Sequence, residues 1–251
     1  NNDRKLLHAI PRSYTLDGLH GIVNPLGMHT AELHVETHII SGALNSISNI
    51  QNCLKKSKVK VAGIVAEPLA SAEAVLSPTE KDEGCVVVDI GGGTTDIAVF
   101  DNGNIIHSKV LPIGGNLFTS DISIALDLDF NTSENLKINY GNIGPDQNNA
   151  TDEIKIKPRK MDEEIQITRR ELGQILKERA AELIRMISIS LDESHLVDAN
   201  IGKFIFTGGG SKLNGFMNIA KYILQNNVRL AEPRGLSGIT NTQKDPTIST
   251  V

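Results

Sequence analysis

The pattern of apolar and polar residues is most distinctive over residues 86–100, VVVDIGGGTTDIAVF. Residues 86–88 are a β-branched run of the kind that forms buried strands, and residues 96–100 are apolar again. Three consecutive glycines at residues 91–93 stand between these runs and predict a forced turn. The segment is therefore expected to form a strand, a tight glycine turn and a second strand.

Apolar periodicity predicts alternating strands and helices along the rest of the chain. Strands are expected at residues 6–16, 31–40, 59–66, 105–113 and 203–207, with a charged hairpin within 153–167. Helices are expected after Ser41 as N-cap, at 69–76, from 119, after 131–133, from a capping box formed by Thr168 and Glu171, and at 212–224. Loops are expected at 141–152 and from Arg229, with a last helix capped by Asp245. This alternation predicts an α/β protein that opens with a compact unit at residues 1–57.

Composition and charge narrow the classes of protein that fit. The chain has 251 residues, which suit one large or two small domains, and 39% of them are hydrophobic, enough for a packed core. A formal charge of −5 without a basic block argues against nucleic acid as the main partner. No signal peptide and no membrane-length apolar run are recognisable, and Cys53 and Cys85 suggest neither a disulfide framework nor a zinc site. A reducing, cytosolic setting is expected, and Asn1 in place of a start methionine suggests part of a longer protein.

The first glycine turn is a candidate anion site. Glycines allow backbone N–H groups to converge on one concavity, and such nests bind phosphate. Thr94 and Thr95 add two hydroxyls to the turn, and Asp89 ends the first strand, where it could hold Mg²⁺ through water. A glycine-rich hairpin without a ligand is the alternative that these residues leave open.

A second triple glycine follows the strand expected at residues 203–207. The loop after a strand and before a helix is a common ligand-binding position in α/β folds. A third glycine corner at residues 114–116 follows the strand expected at 105–113. The sequence therefore places glycine turns after three of its expected strands.

Two sets of charged residues could belong to a site. Glu67 stands at a strand-to-helix corner, where an acid that interacts with the helix dipole is the simpler interpretation. Glu134 and Lys137 are three residues apart, so they share a helix face, and a surface ion pair is the simpler interpretation. From the residues alone, both simpler interpretations are favoured.

Taken together, the two triple-glycine motifs resemble those of the actin-like ATPase superfamily, which includes actin, the DnaK chaperones and sugar kinases. Residues 89–100, DIGGGTTDIAVF, resemble its second phosphate-binding loop, and residues 206–215, FTGGGSKLNG, resemble its adenosine-binding motif. Residues 65–76, VAEPLASAEAVL, resemble its first interdomain connecting helix. The resemblance implies an actin-like, ribonuclease-H-like α/β fold whose first phosphate loop and most of whose first domain lie outside this chain.

The resemblance also implies roles for the matching residues and replaces both simpler interpretations. Glu67 stands where the superfamily places the residue that orients the attacking water, and Asp89 would act beside it by holding Mg²⁺ through water. Glu134 and Lys137 match an E-x-x-K pair that contacts ribose and purine. The implied ATP-binding residues are Gly91, Gly92, Gly93, Thr94, Thr95, Gly115, Asn116, Glu134, Lys137, Gly208, Gly209, Gly210 and Ser211.

Within that superfamily, the chain resembles the FtsA family of bacterial division proteins. Residues 10–28, IPRSYTLDG…GIVNPLGM, and the following LHVETHIISGA resemble the 1C insertion that is specific to this family. The implied divisions are a 1C subdomain at 1–57, a remnant of the first domain with its connecting helix at 58–83, subdomain 2A at 84–117 and 201–251, and subdomain 2B at 118–200.

The FtsA resemblance implies a cytoskeletal adaptor that binds ATP and is at most a weak ATPase. Such a protein polymerises into protofilaments, meets other division proteins and links the tubulin-like FtsZ to the cytoplasmic face of the inner membrane at the division site. The membrane contact would use a C-terminal amphipathic helix outside this chain. Arg169, Arg170 and Arg179, on the basic face of the long helix, are candidates to bind the FtsZ C-terminal peptide, because arginine grips carboxylates bidentately. A solvated helix face is the alternative.

Two other functions fit the same superfamily. One is a type IV pilus adaptor of the PilM kind, which has a similar 1C unit but a different partner. The other is a sugar or metabolite kinase, which would need a substrate pocket and a catalytic acid in the missing first domain. The 1C-like stretch counts against the kinase.

Overall fold

The computed structural model describes residues 3–145, 151–192, 201–234 and 245–250. Its main layer is a five-stranded sheet made of β4 (Cys85–Ile90), β5 (Thr95–Asp101), β6 (Asn104–Leu111), β9 (Lys203–Thr207) and β10 (Asn227–Leu230). The strand order is β10-β9-β4-β5-β6. Strands β4, β5 and β6 form an antiparallel meander, whereas β9 and β10 run parallel to β4. The predicted strand, glycine turn and strand are therefore confirmed.

Alternate residues of β4 face two different groups of helices, because successive side chains of a strand point to opposite faces. Val86 and Val88 pack in one apolar cluster with α4 (Gly115–Leu126), α5 (Phe130–Tyr140), α6 (Arg169–Asp192) and α7 (Phe216–Leu224). Cys85 and Val87 pack on the other face against α2 (Glu67–Val75). The central strand is buried along its whole length, so the residues that follow it are held rigidly.

The opening unit is a three-stranded antiparallel sheet with one helix. It consists of β1 (Arg4–Leu16), β2 (Leu19–Ile22) and β3 (Leu33–Ala43), in the order β2-β1-β3, followed by α1 (Leu44–Lys56). The register of β1 against β3 shifts after Pro11, as expected for a proline that cannot donate to the ladder. His38 Nε2 lies 3.0 Å from Ser108 Oγ and joins this unit to the edge strand β6.

Two expectations for this part of the chain are wrong. Ser41 does not cap α1, because it remains in β3 opposite Leu6 and Ala43 occupies the N-cap position. Residues 59–66 form no strand, and no described strand pairs with them. Val59 and Val65 are 52% and 61% exposed. The β-branched residues of this segment have strand propensity, but a strand also needs a neighbouring strand to complete its backbone hydrogen bonds.

Two further segments differ from the pattern-based expectation. The charged link after Ser77 forms α3 (Pro78–Glu83), because Ser77 and Glu80 cap it reciprocally. The segment around Arg229, which was expected to be a loop, forms strand β10. The Arg229 guanidinium donates to Glu80 Oε1 at 2.9 Å and to Val75 O at 3.0 Å. Tertiary contacts therefore order a segment that has no local periodicity.

Several observed helix boundaries differ from those expected from the sequence. The helix expected at 212–224 is divided into a 3-10 turn at Gly209–Lys212 and helix α7, with Gly215 at φ +87° between them. Helix α4 starts at Gly115 rather than at 119, and α5 is capped by Asp129. The charged hairpin is confirmed as β7 (Glu153–Ile156) and β8 (Ile165–Thr168).

The ends of the long helix and of the chain are described only in part. The Thr168–Glu171 capping box that starts α6 is confirmed, with the Thr168 N–H donating to Glu171 Oε2 at 2.7 Å. Asp245 caps a 3-10 turn at Pro246–Ile248. The expected loops at 141–152 and after Arg229 lie partly outside the described residues, as does the end of the last expected helix. Among the described helices, none combines the length and apolarity that crossing a bilayer requires.

Candidate functional site

The two triple-glycine turns lie side by side at one edge of the sheet. Because β4 and β9 are parallel neighbours, their carboxyl ends meet, and Asp89 stands opposite Thr207. Gly208 follows at φ +82°, so close that a Cβ built on it would lie 2.2 Å from Asp89 Oδ1. Sheet register therefore brings together two motifs that lie far apart in the sequence.

The first glycine turn is fastened to the start of α4. The Gly115 N–H donates to Gly91 O at 2.8 Å, and the Asn116 N–H donates to Gly92 O at 2.7 Å. A Cβ at Gly114 would lie 2.6 Å from Gly91 O, so this corner depends on glycine for close approach. The turn and the helix N-terminus thus form one rigid wall.

The two hydroxyls of the turn make internal hydrogen bonds. Thr95 is buried and its Oγ donates to Ile113 O at 2.7 Å, away from the turn's open side. Thr94 Oγ donates to Asp96 Oδ2 at 3.1 Å. The open side of the turn is therefore made chiefly of glycine backbone.

Three carboxyl groups near this turn interact electrostatically, namely those of Glu67, Asp89 and Asp96. Burial first, and then the charge of Glu67, raise the pKa of Asp96 to about 6. Burial also raises the pKa of Asp89, while a hydrogen bond donated by Ser71 Oγ at 2.5 Å acts in the opposite direction. The pKa of Glu67 is raised by burial and by the charge of Asp89. The sequence interpretation missed Asp96 and Ser71, although Asp96 belongs to the same glycine-turn motif.

These acids suit a hydrated divalent cation rather than one bound directly by the protein. No described lysine or arginine forms an ion pair with Glu67, Asp89 or Asp96. The described residues also contain no group of three or more acid, histidine or cysteine side chains placed to hold a metal ion. Mg²⁺ keeps several waters and is commonly bound by one or two carboxylates together with phosphates. Asp89 therefore fits the predicted water-mediated contact.

The raised pKa of Asp96 predicts a pH-dependent stability. The folded carboxyl keeps its proton up to about pH 6, whereas the unfolded carboxyl loses it near its ordinary value of 3.8. Folding is therefore penalised increasingly as pH rises from about 4 to 6, by on the order of 2 to 3 kcal/mol. Asp96→Asn should raise the melting temperature at pH 7.5 without Mg²⁺ and flatten its slope between pH 4 and 6. An unchanged slope would contradict this assignment.

The two glycine turns enclose a cleft of about 470 Å³. Gly91, Gly92, Gly115 and Asn116 line one end of this cleft. The other lining residues are Phe118, Glu134, Lys137, Ile138, Gly141, Gly209, Gly210, Lys212, Leu213, Asn214 and Thr247. Most of the residues that the resemblance assigned to a nucleotide therefore face one cavity, while Thr247 was not anticipated.

Glu134 and Lys137 form the ion pair of the simpler interpretation, but in the wall of the cleft instead of on an open surface, while their contacts with ribose and purine stay a prediction. Lys137 Nζ lies 2.7 Å from Glu134 Oε2, and the two side chains are 16% and 33% exposed. The same ammonium donates to Gly115 O at 3.0 Å and to Thr119 Oγ at 2.9 Å. The pair therefore ties α5 to the start of α4.

The second glycine turn lines the same cleft beside the first. Ser211 is buried and its Oγ donates to Gly208 O at 2.6 Å, so this hydroxyl stabilises the turn from within. Lys212 donates to Asp245 Oδ2 at 2.6 Å, and this contact lowers the pKa of Asp245 to about 2. The segment that carries Thr247 is thereby held against the cleft.

The three candidate partner-binding arginines lie on α6, apart from the cleft lining. Arg179 grips both oxygens of Asp121 at 2.6 and 2.7 Å and also contacts Glu182. Arg169 lies over the Tyr140 ring at 5.2 Å, while Arg170 is exposed. A groove of about 560 Å³ beside Arg179 is lined by Asp121, Ile124, Ala125, Ile175, Glu178, Arg179, Glu182 and Arg185.

Comparison with known protein families identifies the group to which this chain belongs. The family model described as cell division protein FtsA matches residues 86–251, which is more than half of the chain. The chain belongs to the FtsA family. A second model, the SHS2 domain inserted in FtsA, matches residues 1–41 and so covers the three-stranded sheet. A hydantoinase/oxoprolinase model matches only residues 41–125.

Curated members of the FtsA family are similar over almost the whole chain. The FtsA of Pseudomonas aeruginosa is 34% identical over 99% of this chain, and that of Neisseria meningitidis is 35% identical over 99%. The FtsA of Bacillus subtilis is 32% identical over 92%. The chain spans 60%, 60% and 52% of the lengths of these three relatives.

Solved structures with low sequence identity have the same fold. The PilM–PilN type IV pilus biogenesis complex matches 98% of this chain and 64% of its own, with a TM-score of 0.69 and 17% identity. MreB5 of Spiroplasma citri bound to ADP matches 95% of this chain and 86% of its own, with a TM-score of 0.64 and 15% identity. These likenesses show the actin-like fold, and the family match places the chain with FtsA rather than with PilM.

Proposed function

We propose that this chain forms the nucleotide-binding part of an FtsA-type division protein that takes ATP with Mg²⁺ into the cleft between its two glycine turns. The observation that carries the proposal is the convergence of both turns at the adjacent carboxyl ends of β4 and β9. Anionic ligands favour such positions, because backbone N–H groups of glycine turns can converge there.

Different residues of the cleft lining suit different parts of ATP. The N–H groups of Gly92 and Gly93 would hold the β- and γ-phosphates, since the Gly91 N–H donates to Thr94 O at 2.9 Å, and Asp89 would hold Mg²⁺ through water. Glu134 would accept a hydrogen bond from a ribose hydroxyl, while Gly209 and Gly210 would allow adenosine to pack closely against the backbone. Bound Mg²⁺ would supply positive charge that balances the phosphates and the facing carboxyls.

At most slow hydrolysis is expected, as the resemblance to the FtsA family implies. Glu67 is the residue proposed to orient the attacking water, and a general base works best with its pKa near the operating pH. Burial and Asp89 raise the pKa of Glu67, which moves it in that direction. The contribution proposed for this chain's own residues is to position the phosphates, the metal ion and the attacking water.

Calorimetric titration of ATP into the whole protein that contains this chain tests the proposal. Binding is expected with Mg²⁺ and should weaken by at least about tenfold in excess EDTA. GTP and inorganic phosphate serve as comparison ligands. Absence of ATP binding, or binding with no response to Mg²⁺, would contradict the assignment.

We further propose that the whole protein polymerises and links FtsZ to the inner membrane at the division site. Membership of the FtsA family supports this role. ATP would close the two halves of the cleft and favour contacts between successive subunits.

The groove beside Arg179 is the proposed docking site for the FtsZ C-terminal peptide. It combines an exposed apolar side chain, Ile124 at 79% exposure, with the guanidinium groups of Arg179 and Arg185. The groove also contains the carboxylates of Asp121, Glu178 and Glu182, so an acidic and hydrophobic peptide would have to take the place of Asp121 on Arg179 and contact Ile124. Arg169 and Arg170, the other two candidate arginines, lie in the first turn of α6 and are not part of the groove lining.

Charge reversal on α6 tests this docking site. Arg179→Glu and Arg185→Glu, which both change the lining of the groove, are each expected to weaken binding of the FtsZ peptide by about tenfold or more, because each replaces attraction by repulsion. Fluorescence anisotropy with a labelled peptide measures the change. Lys221→Glu on α7 is the matched control and should leave the affinity unaltered. Equal losses in all three variants would mean that only overall charge matters.

A further inference from the structure

Thr119 is a buried hydroxyl between the two charged residues of the cleft wall. Its side chain lies on α4 with no exposed surface, and such groups are stable only when hydrogen-bonded. Thr119 Oγ donates to Glu134 Oε2 and accepts from Lys137 Nζ at 2.9 Å. A Gly115 carbonyl at 3.3 Å is a more distant and uncharged acceptor. One hydroxyl therefore contacts both members of the ion pair.

The Lys137 ammonium has three oxygen partners within the protein. It donates hydrogen bonds to Gly115 O and Thr119 Oγ at 3.0 and 2.9 Å, and it forms an ion pair with Glu134 Oε2 at 2.7 Å. Two of its three donors are therefore used in hydrogen bonds, and Glu134 balances its charge. In this arrangement Lys137 stabilises the wall of the cleft.

Glu134, in contrast to Lys137, has an oxygen that is not used in a hydrogen bond. Its Oε2 accepts from Thr119 and pairs with Lys137, whereas its Oε1 has no hydrogen-bond partner among the described residues. The side chain is 33% exposed and lines the cleft. A carboxylate oxygen with free lone pairs suits a ligand hydroxyl, provided that the carboxylate is kept in one orientation.

We propose that Thr119 is a positioning residue of the nucleotide site, which orients Glu134 so that its second oxygen meets a ribose hydroxyl. This inference rests on the proposed ATP site. Thr119 touches no nucleotide itself and acts through Glu134 and Lys137. Lys137 also donates to Gly115 O, and the Gly115 N–H donates to Gly91 O at 2.8 Å. The same contacts therefore hold Glu134 in a constant position relative to the first glycine turn.

Discrimination between ATP and 2′-deoxy-ATP by the whole protein tests this role. Affinities are measured by competition against a fluorescent ATP analogue for the unaltered protein and for Thr119→Val, Thr119→Ser and Glu134→Ala. Valine keeps the volume of threonine but removes the hydroxyl, whereas serine keeps the hydroxyl. Ser123→Ala is the matched control, because Ser123 lies one turn further along α4 and donates to Leu128 O at 2.6 Å.

The unaltered protein should prefer ATP over 2′-deoxy-ATP by about tenfold. Thr119→Val should reduce this ratio towards that of Glu134→Ala, while Thr119→Ser and Ser123→Ala keep it. If Thr119→Val weakens both nucleotides equally and the ratio stays, Thr119 only supports the fold and the inference is wrong. Equal affinities in the unaltered protein would overturn the inference alone, whereas loss of all nucleotide binding would overturn the proposed function as well.

Discussion

Replacing Gly208 with alanine is expected to destabilise the folded protein by about 3 to 5 kcal/mol and to remove nucleotide binding. Gly208 has φ +82°, a conformation that L-residues with a side chain rarely adopt. Its new Cβ would lie 2.2 Å from Asp89 Oδ1 and 2.5 Å from Ile90 O. One contact is to backbone of the buried central strand, which cannot move without disturbing the sheet, and the other displaces the acid proposed to hold Mg²⁺.

Gly93→Ala is the matched glycine control for stability. Gly93 belongs to the other triple-glycine turn, but a Cβ there would have no atom within 4 Å and its φ lies outside the strained range. Its free energy of unfolding should change by less than about 1 kcal/mol. Chemical denaturation of both variants measures the difference. Similar values for the two glycines would mean that the close approach of Gly208 to β4 is not required for folding.

Asp89→Asn is expected to lower the affinity for Mg-ATP by about 100-fold, equivalent to nearly 3 kcal/mol, without lowering stability. The amide cannot supply the negative charge that a hydrated Mg²⁺ requires, although its oxygen can still accept from Ser71. Burial raises the pKa of Asp89, so the carboxylate is costly to keep ionised in the folded protein. Removing that charge should therefore maintain or raise the melting temperature.

The decisive measurement for Asp89 is the ratio of ATP affinities with Mg²⁺ and with excess EDTA. This ratio should approach one in Asp89→Asn, since the variant loses only the metal-dependent part of binding. Asp101→Asn, at the opposite end of β5, keeps the ratio of the unaltered protein. A variant that retained full Mg²⁺ dependence would show that Asp89 does not hold the metal.

Local patterns were sufficient for the elements whose signals are contiguous. The strand, glycine turn and strand over residues 85–101, the hairpin of β7 and β8 and the capping box of α6 follow from periodicity and turn residues. The E-x-x-K spacing likewise predicted that Glu134 and Lys137 share a helix face, which their 2.7 Å contact bears out. Such signals depend on residues within one or two turns of each other.

Patterns failed where partners distant in the sequence decide the outcome. The β-branched run at 59–66 has strand propensity but no described partner strand, whereas β10 forms without a pattern because β9 and Glu80 hold it. Ser41 has the chemistry of a cap, yet pairing with β1 keeps it in β3. Strand pairing is a tertiary property, so propensity alone cannot assign it.

The chemical groups of the candidate site are evident from the amino-acid sequence: two triple glycines, an acid at a strand end and the E-x-x-K pair. How these groups meet depends on the packing of elements that are distant in the sequence. The parallel register of β4 and β9 sets Gly208 against Asp89, and packing of α2 on the sheet brings Ser71 to the same carboxylate. Spacing along a chain defines which residues share one element, but the distance between elements depends on how their buried faces pack.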